Sequence, residues 1–182
     1  RQRAALLEKL ANVQTALSQA RNEDEIVSAL SQASTPEHRP SLITLRYTYV
    51  DEDNQPLYSE SVAHWQDGQL VHTQETFHID LRTSDMQRLK ERVRDTSVLF
   101  FEDVQQAAEQ APETLRKMAA QAGMHGMALL LLASGGRWQG AAIINWREAH
   151  TFSEEERFLL ENMARPLAEV VARRRAYIAQ RE

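Results

Sequence analysis

Cysteine is absent from the 182 residues. Its absence excludes a disulfide, a thiolate nucleophile, a thiolate metal site and a thioether link to a chromophore, and it fits a reducing, cytoplasmic compartment. No window approaches the roughly 18 consecutive apolar residues that a membrane span requires, and the first residues carry no secretory signal pattern, so membrane insertion is not expected. The chain opens on Arg1, which points to a segment of a longer polypeptide. Basic clusters are scarce: Arg173, Arg174 and Arg175 form the only basic run, and the formal net charge is −5 at pH 7. Nucleic acid is not an expected partner, because phosphate contacts draw on Lys and Arg gathered over one face. There is no glycine-rich phosphate loop, activated nucleophile or cofactor fingerprint, so no catalytic residue is assigned and the chain is not expected to be an enzyme in its own right. Of His38, His64, His72, His78, His125 and His150, none pairs at i,i+3 or i,i+4 with another ligand type on a convincing helix, and no metal site is expected.

What the chain does have is the stretch from Met127 to Trp146, MALLLLASGGRWQGAAIINW. Two apolar runs flank Gly135-Gly136, the pattern of two strands joined by a tight hairpin whose central residues need positive φ. Neither run alternates cleanly between apolar and polar residues. Both faces of the hairpin therefore require cover, which places it in the middle of a sheet. The length fits one domain with its own core.

Leu6, Leu10, Val13, Leu17 and Ala20 recur at alternating spacings of four and three, predicting a helix with a narrow apolar seam. Such a seam serves either a two-stranded coiled coil or docking on the chain's own domain. Asn22 with Glu25 resembles a capping box that starts a second helix at Glu23, running to about Ser34, and Pro36 and Pro40 close it. A strand is expected over Ser41 to Val50, with Ile43, Leu45, Tyr47 and Tyr49 on one face and Thr44, Arg46 and Thr48 on the other. Two more strands follow in a meander, Leu57 to Trp65 and, after Asp67-Gly68, Leu70 to Phe77. Ser84 with Gln87 marks another helix start, with Met86, Leu89 and Val93 on one face. After the apolar run Val98 to Phe101, Pro112 opens a helix that reaches Ala122 and stops at Gly123. Ser153 with Glu156 caps the last helix, where Leu160, Met163, Leu167, Val170 and Tyr177 keep three-four spacing and Pro166 is expected to introduce a kink.

Ala122 to Val171, AGMHGMALLLLASGGRWQGAAIINWREAHTFSEEERFLLENMARPLAEVV, gives a glycine-bounded entry, a strand, a glycine turn, a second strand with Gly140, then Phe-Ser-Glu-Glu and a long amphipathic helix. This resembles the GAF family of small-molecule sensing domains, and FEDV, Phe101 to Val104, matches the short strand and acidic residue that precede the fourth helix in that family. The likeness covers roughly Asn22 to Arg173. It implies an α+β fold in α/β/α layers, with an antiparallel sheet of about five to six strands, a terminal helix bundle on one face and pocket-roofing helices on the other. Residues 1–21 would then form a coiled-coil-like helix ahead of a sensory domain at 22–173, and residues 174–182 would continue the last helix toward a downstream region. Family members that attach bilins or reduce methionine sulfoxide need a cysteine, which this chain lacks. Members that bind cyclic nucleotides carry an Asn-Lys pair and a later Phe-x-x-x-Asp-Glu. Asn145 and Phe152 match here, but Trp146 stands where the Lys would be and Glu156-Arg157 replaces Asp-Glu, which disfavours a cyclic nucleotide.

Candidate ligand-binding residues come from the chemistry of their side chains. His125, between Gly123 and Gly126, puts a titratable ring where it either reaches a pocket or bonds the loop backbone. Trp65, Phe100, Phe101 and Trp146 supply either flat cavity walls or ordinary core. Arg46, beside Thr44 and Thr48, meets an anionic ligand or lies on an exposed strand face, and Asn145 enters through the resemblance. The resemblance and the terminal helices together imply a non-catalytic sensory and dimerisation module of a larger signal-transduction protein such as a histidine kinase. In that reading an unidentified small molecule biases terminal helices that form a homodimer and lead to an effector domain of the same polypeptide. The competing reading is a ligand-free structural spacer of the same fold. No cofactor is identified.

Overall fold

The computed structural model describes residues 2–34, 36–73 and 76–181. Its strands are β1 (Leu42–Val50), β2 (Pro56–Gln66), β3 (Gln69–Val71), β4 (His78–Asp80), β5 (Ser97–Phe101), β6 (Gly126–Ser134) and β7 (Arg137–Trp146). Its α-helices are α1 (Gln2–Gln19), α2 (Glu23–Ser31), α3 (Ser84–Arg92), α4 (Glu113–Ala122) and α5 (Glu154–Arg181). All strands join one antiparallel sheet in the order β3-β2-β1-β7-β6-β5, with β4 also paired to β2. Among the described residues, no helix is long and apolar enough to cross a membrane.

The β6–β7 hairpin sits inside this sheet, with β5 and β1 on its flanks. Gly135 and Gly136 close its turn at φ 60° and 76°, a conformation that side chains other than glycine's resist. Alternation then sorts the apolar residues. Ala128, Leu130, Leu132, Ala142 and Ile144 join Ile43 and Leu45 of β1 under Val13, Leu17, Ile26, Leu30, Met163 and Leu167 from α1, α2 and α5. Met127, Leu129 and Ile143 face the other way and pack with Met86, Leu89, Leu115 and Ala119 of α3 and α4. Each fully buried Leu or Ile stabilises the fold by about 1.5–3 kcal/mol, so both covers contribute substantially. At Gly140 a Cβ would lie 2.2 Å from the Arg46 carbonyl oxygen of β1, so only glycine fits there.

Both terminal helices lie on the same face. Val13 and Leu17 of α1 are fully buried within the chain's own core, Leu10 packs at its margin, and Leu7 stays 47% exposed. Docking on the domain is therefore the arrangement of the C-terminal half of the α1 seam. Ser153 and Glu156 start α5 with a reciprocal capping box at 3.1 Å in each direction, and α5 runs on through Pro166. Near its end Arg174 binds Glu23 at 2.6 Å. Arg175 donates to the carbonyls of Thr48 and Gln139 while its guanidinium lies 5.0 and 4.9 Å from the rings of Tyr47 and Tyr49. Tyr49 stacks on Tyr58 at 4.8 Å and Tyr58 on His78 at 5.2 Å, so a ladder of planar groups crosses from α5 to β4.

The sheet has one strand more than the sequence suggested at most. The expected third strand, Leu70 to Phe77, crosses residues 74 and 75, which lie outside the described residues. On either side of them the chain makes two short strands, β3 and β4, each on β2. Helix α3 is preceded by Thr83 as its N-cap rather than by Ser84, and Pro112 caps α4 from outside instead of occupying its first turn. The domain limits drawn from the sequence begin and end on residues 1 and 182, which are also outside the described residues. Gly140→Ala is expected to destabilise the protein by about 1–3 kcal/mol through overpacking against the β1 backbone, measured as a lowered urea midpoint with an unchanged m-value.

Candidate functional site

The face of the sheet under α3 and α4 carries the polar chemistry. From β1 it receives Thr44, Arg46 and Thr48, all buried, and from β2 it receives Ser59, Ser61 and the half-buried His64. Toward the turn of the hairpin, Thr48, Leu81, Met86, Leu89, Leu131 and Trp138 line an apolar cleft of about 60 Å³. Lys90 also borders it, with its ammonium donating to the side chain of Gln55.

Arg46 is only 3% exposed. Its Nε donates to Ser59 Oγ at 2.9 Å, and Nη2 donates to the carbonyls of Ser59 at 3.0 Å and Phe77 at 2.5 Å. Among the described residues, no carboxylate lies within ion-pair distance of it. Burial pushes its pKa down to about 10, and the charge of Glu60 offsets this in part. The guanidinium thus fastens the segment ahead of β4 onto β2, and Ser61 assists by accepting from the Phe77 amide at 3.1 Å. His64 lies beside Thr44 at 3.4 Å and edge-on to Phe77. Burial and then the charge of Arg46 hold its pKa below the usual histidine value, which favours the neutral ring.

The residues nominated from sequence do not share a cavity. Thr48 borders the apolar cleft, and Arg46 is its neighbour on the same face of β1. Asn145, Phe101 and His125 lie at the opposite end. Asn145 Nδ2 donates to the Gly126 carbonyl at 3.4 Å, Phe101 joins the core under α3 and α4, and His125 Nδ1 sits 3.0 Å from Asp103. Of the two readings of the aromatics, Trp65, Phe100 and Trp146 take that of ordinary core: they lie on the other face, packed with the terminal helices. Phe100 and Phe101 are adjacent on a strand and so point to opposite faces, while Trp146 follows Ile144 and Ala142. Trp146 stacks on His150 at 4.2 Å, and His150 Nε2 lies 2.7 Å from the capping carboxylate of Glu156.

A second set of residues went unnoticed in the sequence. Between α3 and α4 lies a cleft of about 330 Å³ bordered by Arg88, Arg92 and Arg116. Asp85 also lines it, accepting from the amide and hydroxyl of Thr114 at 2.8 and 2.7 Å. Desolvation pushes the Asp85 carboxyl up, but hydrogen bonds from Thr83, Thr114 and the Met86 amide together outweigh it and hold the group well below the usual carboxylate range. No local sequence pattern links Arg116 to the other two arginines. The i,i+4 spacing of Arg88 and Arg92 was the one available signal.

No family model and no curated protein sequence matches the chain. Among solved structures, it is similar to the GAF domain from a phosphoenolpyruvate-protein phosphotransferase (ptsP) of Coxiella burnetii, with 17% identity, 96% of each chain covered and a TM-score of 0.61. It is also similar to a domain assigned to a two-component sensor histidine kinase protein of Sinorhizobium meliloti 1021, with 17% identity, coverage of 98% of this chain and 97% of that one, and a TM-score of 0.50. At these identities the likeness is one of architecture: the chain has a GAF-like fold.

Replacing Arg46 by Met removes hydrogen bonds to a charged donor and is expected to cost about 1.5–3 kcal/mol, with faster amide exchange at residues 77–80 as the local readout. For Asp85 the folded pKa lies below its ordinary value of 3.8, so its contribution is fully present above that pH and is lost as pH falls through the folded value. Asp85→Asn should therefore lower stability at pH 7, and its deficit relative to the parent should narrow at pH below about 3.8, as seen in paired denaturation curves.

Proposed function

We propose that this chain is a sensory module of a larger signal-transduction protein, in which a small apolar or amphipathic ligand enters the cleft between α3 and the sheet. The observation that carries this reading is the division of labour between the two sheet faces. One is closed by the terminal helices, and the other holds an apolar cleft under a single short helix, with Thr48 and Lys90 as polar groups at its border. The solved neighbours, described as a GAF domain of a phosphotransferase and a domain of a sensor histidine kinase protein, support a regulatory rather than catalytic role. A ligand that wedges α3 outward acts on β1, whose Thr48 carbonyl is held by Arg175 of α5. Terminal helices then report the bound state to an effector domain of the same polypeptide, and the exposed Leu7 and Tyr177 are the apolar positions through which two copies pair. A cytoplasmic setting accords with the absence of cysteine.

The size of the cleft favours a second reading. About 60 Å³ is far below the roughly 300–1,000 Å³ of ordinary ligand pockets, as a ligand-free spacer of the same fold would have. A thermal-shift screen of small apolar acids, nucleotides and tetrapyrroles distinguishes the two. The sensor reading expects a saturable rise in Tm that Leu131→Trp, which fills the cleft, abolishes while leaving the fold intact. No hit in the screen favours the spacer, whereas a hit indifferent to Leu131→Trp assigns the binding to a place outside this cleft.

A further inference from the structure

The cleft between α3 and α4 shares Leu89 with the apolar one but differs from it in chemistry. Arg88, Arg92 and Arg116 all border its 330 Å³. Each donates to a main-chain carbonyl: Arg88 Nε to Ser84 at 3.3 Å, Arg92 Nη2 to Gln110 at 3.1 Å and Arg116 Nε to Ala111 at 3.3 Å. A carbonyl occupies one of the five N–H groups of a guanidinium and neutralises none of its charge. No described carboxylate lies within ion-pair distance of the three. Asp85, Glu109 and Glu113 also border the recess: the Asp85 carboxylate accepts from Thr114, Glu113 is paired with Lys117 at 3.2 Å, and Glu109 is exposed. Arg88 and Arg92 stand at helical i,i+4 spacing, where like charges repel and destabilise the helix.

We infer that this recess binds a small polyanion bearing phosphate or carboxylate groups, held by the forked guanidiniums of Arg88 and Arg92 from α3 and Arg116 from α4. Planar forks match the oxygen pairs of both groups bidentately. Helices α3 and α4 already meet through Asp85 and Thr114, and Arg92 binds Gln110 in the segment that leads into α4. A polyanion spanning both sides adds a second clasp and stabilises the roof over the sheet.

The test uses inorganic pyrophosphate and citrate as probes at constant ionic strength, with Kd from calorimetry and amide shifts from NMR. Saturable binding is expected, with shifts concentrated at residues 84–92 and 109–116, and the probe that binds more tightly identifies the preferred anion chemistry. Arg88→Gln with Arg116→Gln should weaken binding at least tenfold. Arg94→Gln, which alters an exposed arginine outside the recess, should leave Kd unchanged. Circular dichroism verifies folding, and if the double variant fails to fold, each single substitution should still weaken binding several-fold. Absence of saturable binding by both probes, or equal affinity in the arginine variants, overturns the assignment. Neither result bears on the apolar cleft, whose ligand response is read with the arginines intact.

Discussion

Burial of β6 and β7 on both faces is the constraint from which the architecture follows. The ladder hydrogen bonds of these strands are satisfied by β1 and β5, and their side chains are apolar above and below. Leaving either face bare would expose a row of Leu, Ile and Met side chains to water. One cover comes from the two ends of the chain, which meet as α1, α2 and α5. The other comes from the middle of the chain, as α3 and α4. Three layers result, and the GAF-like fold is this solution.

The two covers are unequal, and the inequality separates support from chemistry. The terminal cover includes the two longest described helices, α1 and α5, and packs the larger apolar cluster. The middle cover consists of two short helices over a face that also carries Arg46, Thr48, Ser59 and Ser61. Short helices with few buried residues, Met86 and Leu89 in one and Leu115 and Ala119 in the other, leave recesses at their margins. Both clefts described above arise there.

Elements marked by local chemistry were legible in the sequence. Gly135-Gly136 marked the hairpin, Ser153 and Glu156 the start of α5, and Gly123 the end of α4, because each feature acts within a few residues of itself. The split between β3 and β4 was not legible, since β4 is held by Arg46, thirty-one positions before Phe77 in the chain. Placement of the candidate site residues depends on the face to which each strand turns them. Trp65, Phe100 and Trp146 were chosen for residue type, whereas the alternation of their strands directs them into the terminal core. Arg88, Arg92 and Arg116 are brought together only by the packing of α3 on α4.

The seat of Arg175 has a consequence for what that position tolerates. The side chain works there as a flat tile: it rests against two phenol rings while one edge grips carbonyls from separate strands. An ammonium at the same place would preserve the charge and still forfeit the fit, because it has no face to lay on a ring and its stronger hydration resists enclosure. Shape rather than sign is therefore what fastens the end of the longest helix to the sheet.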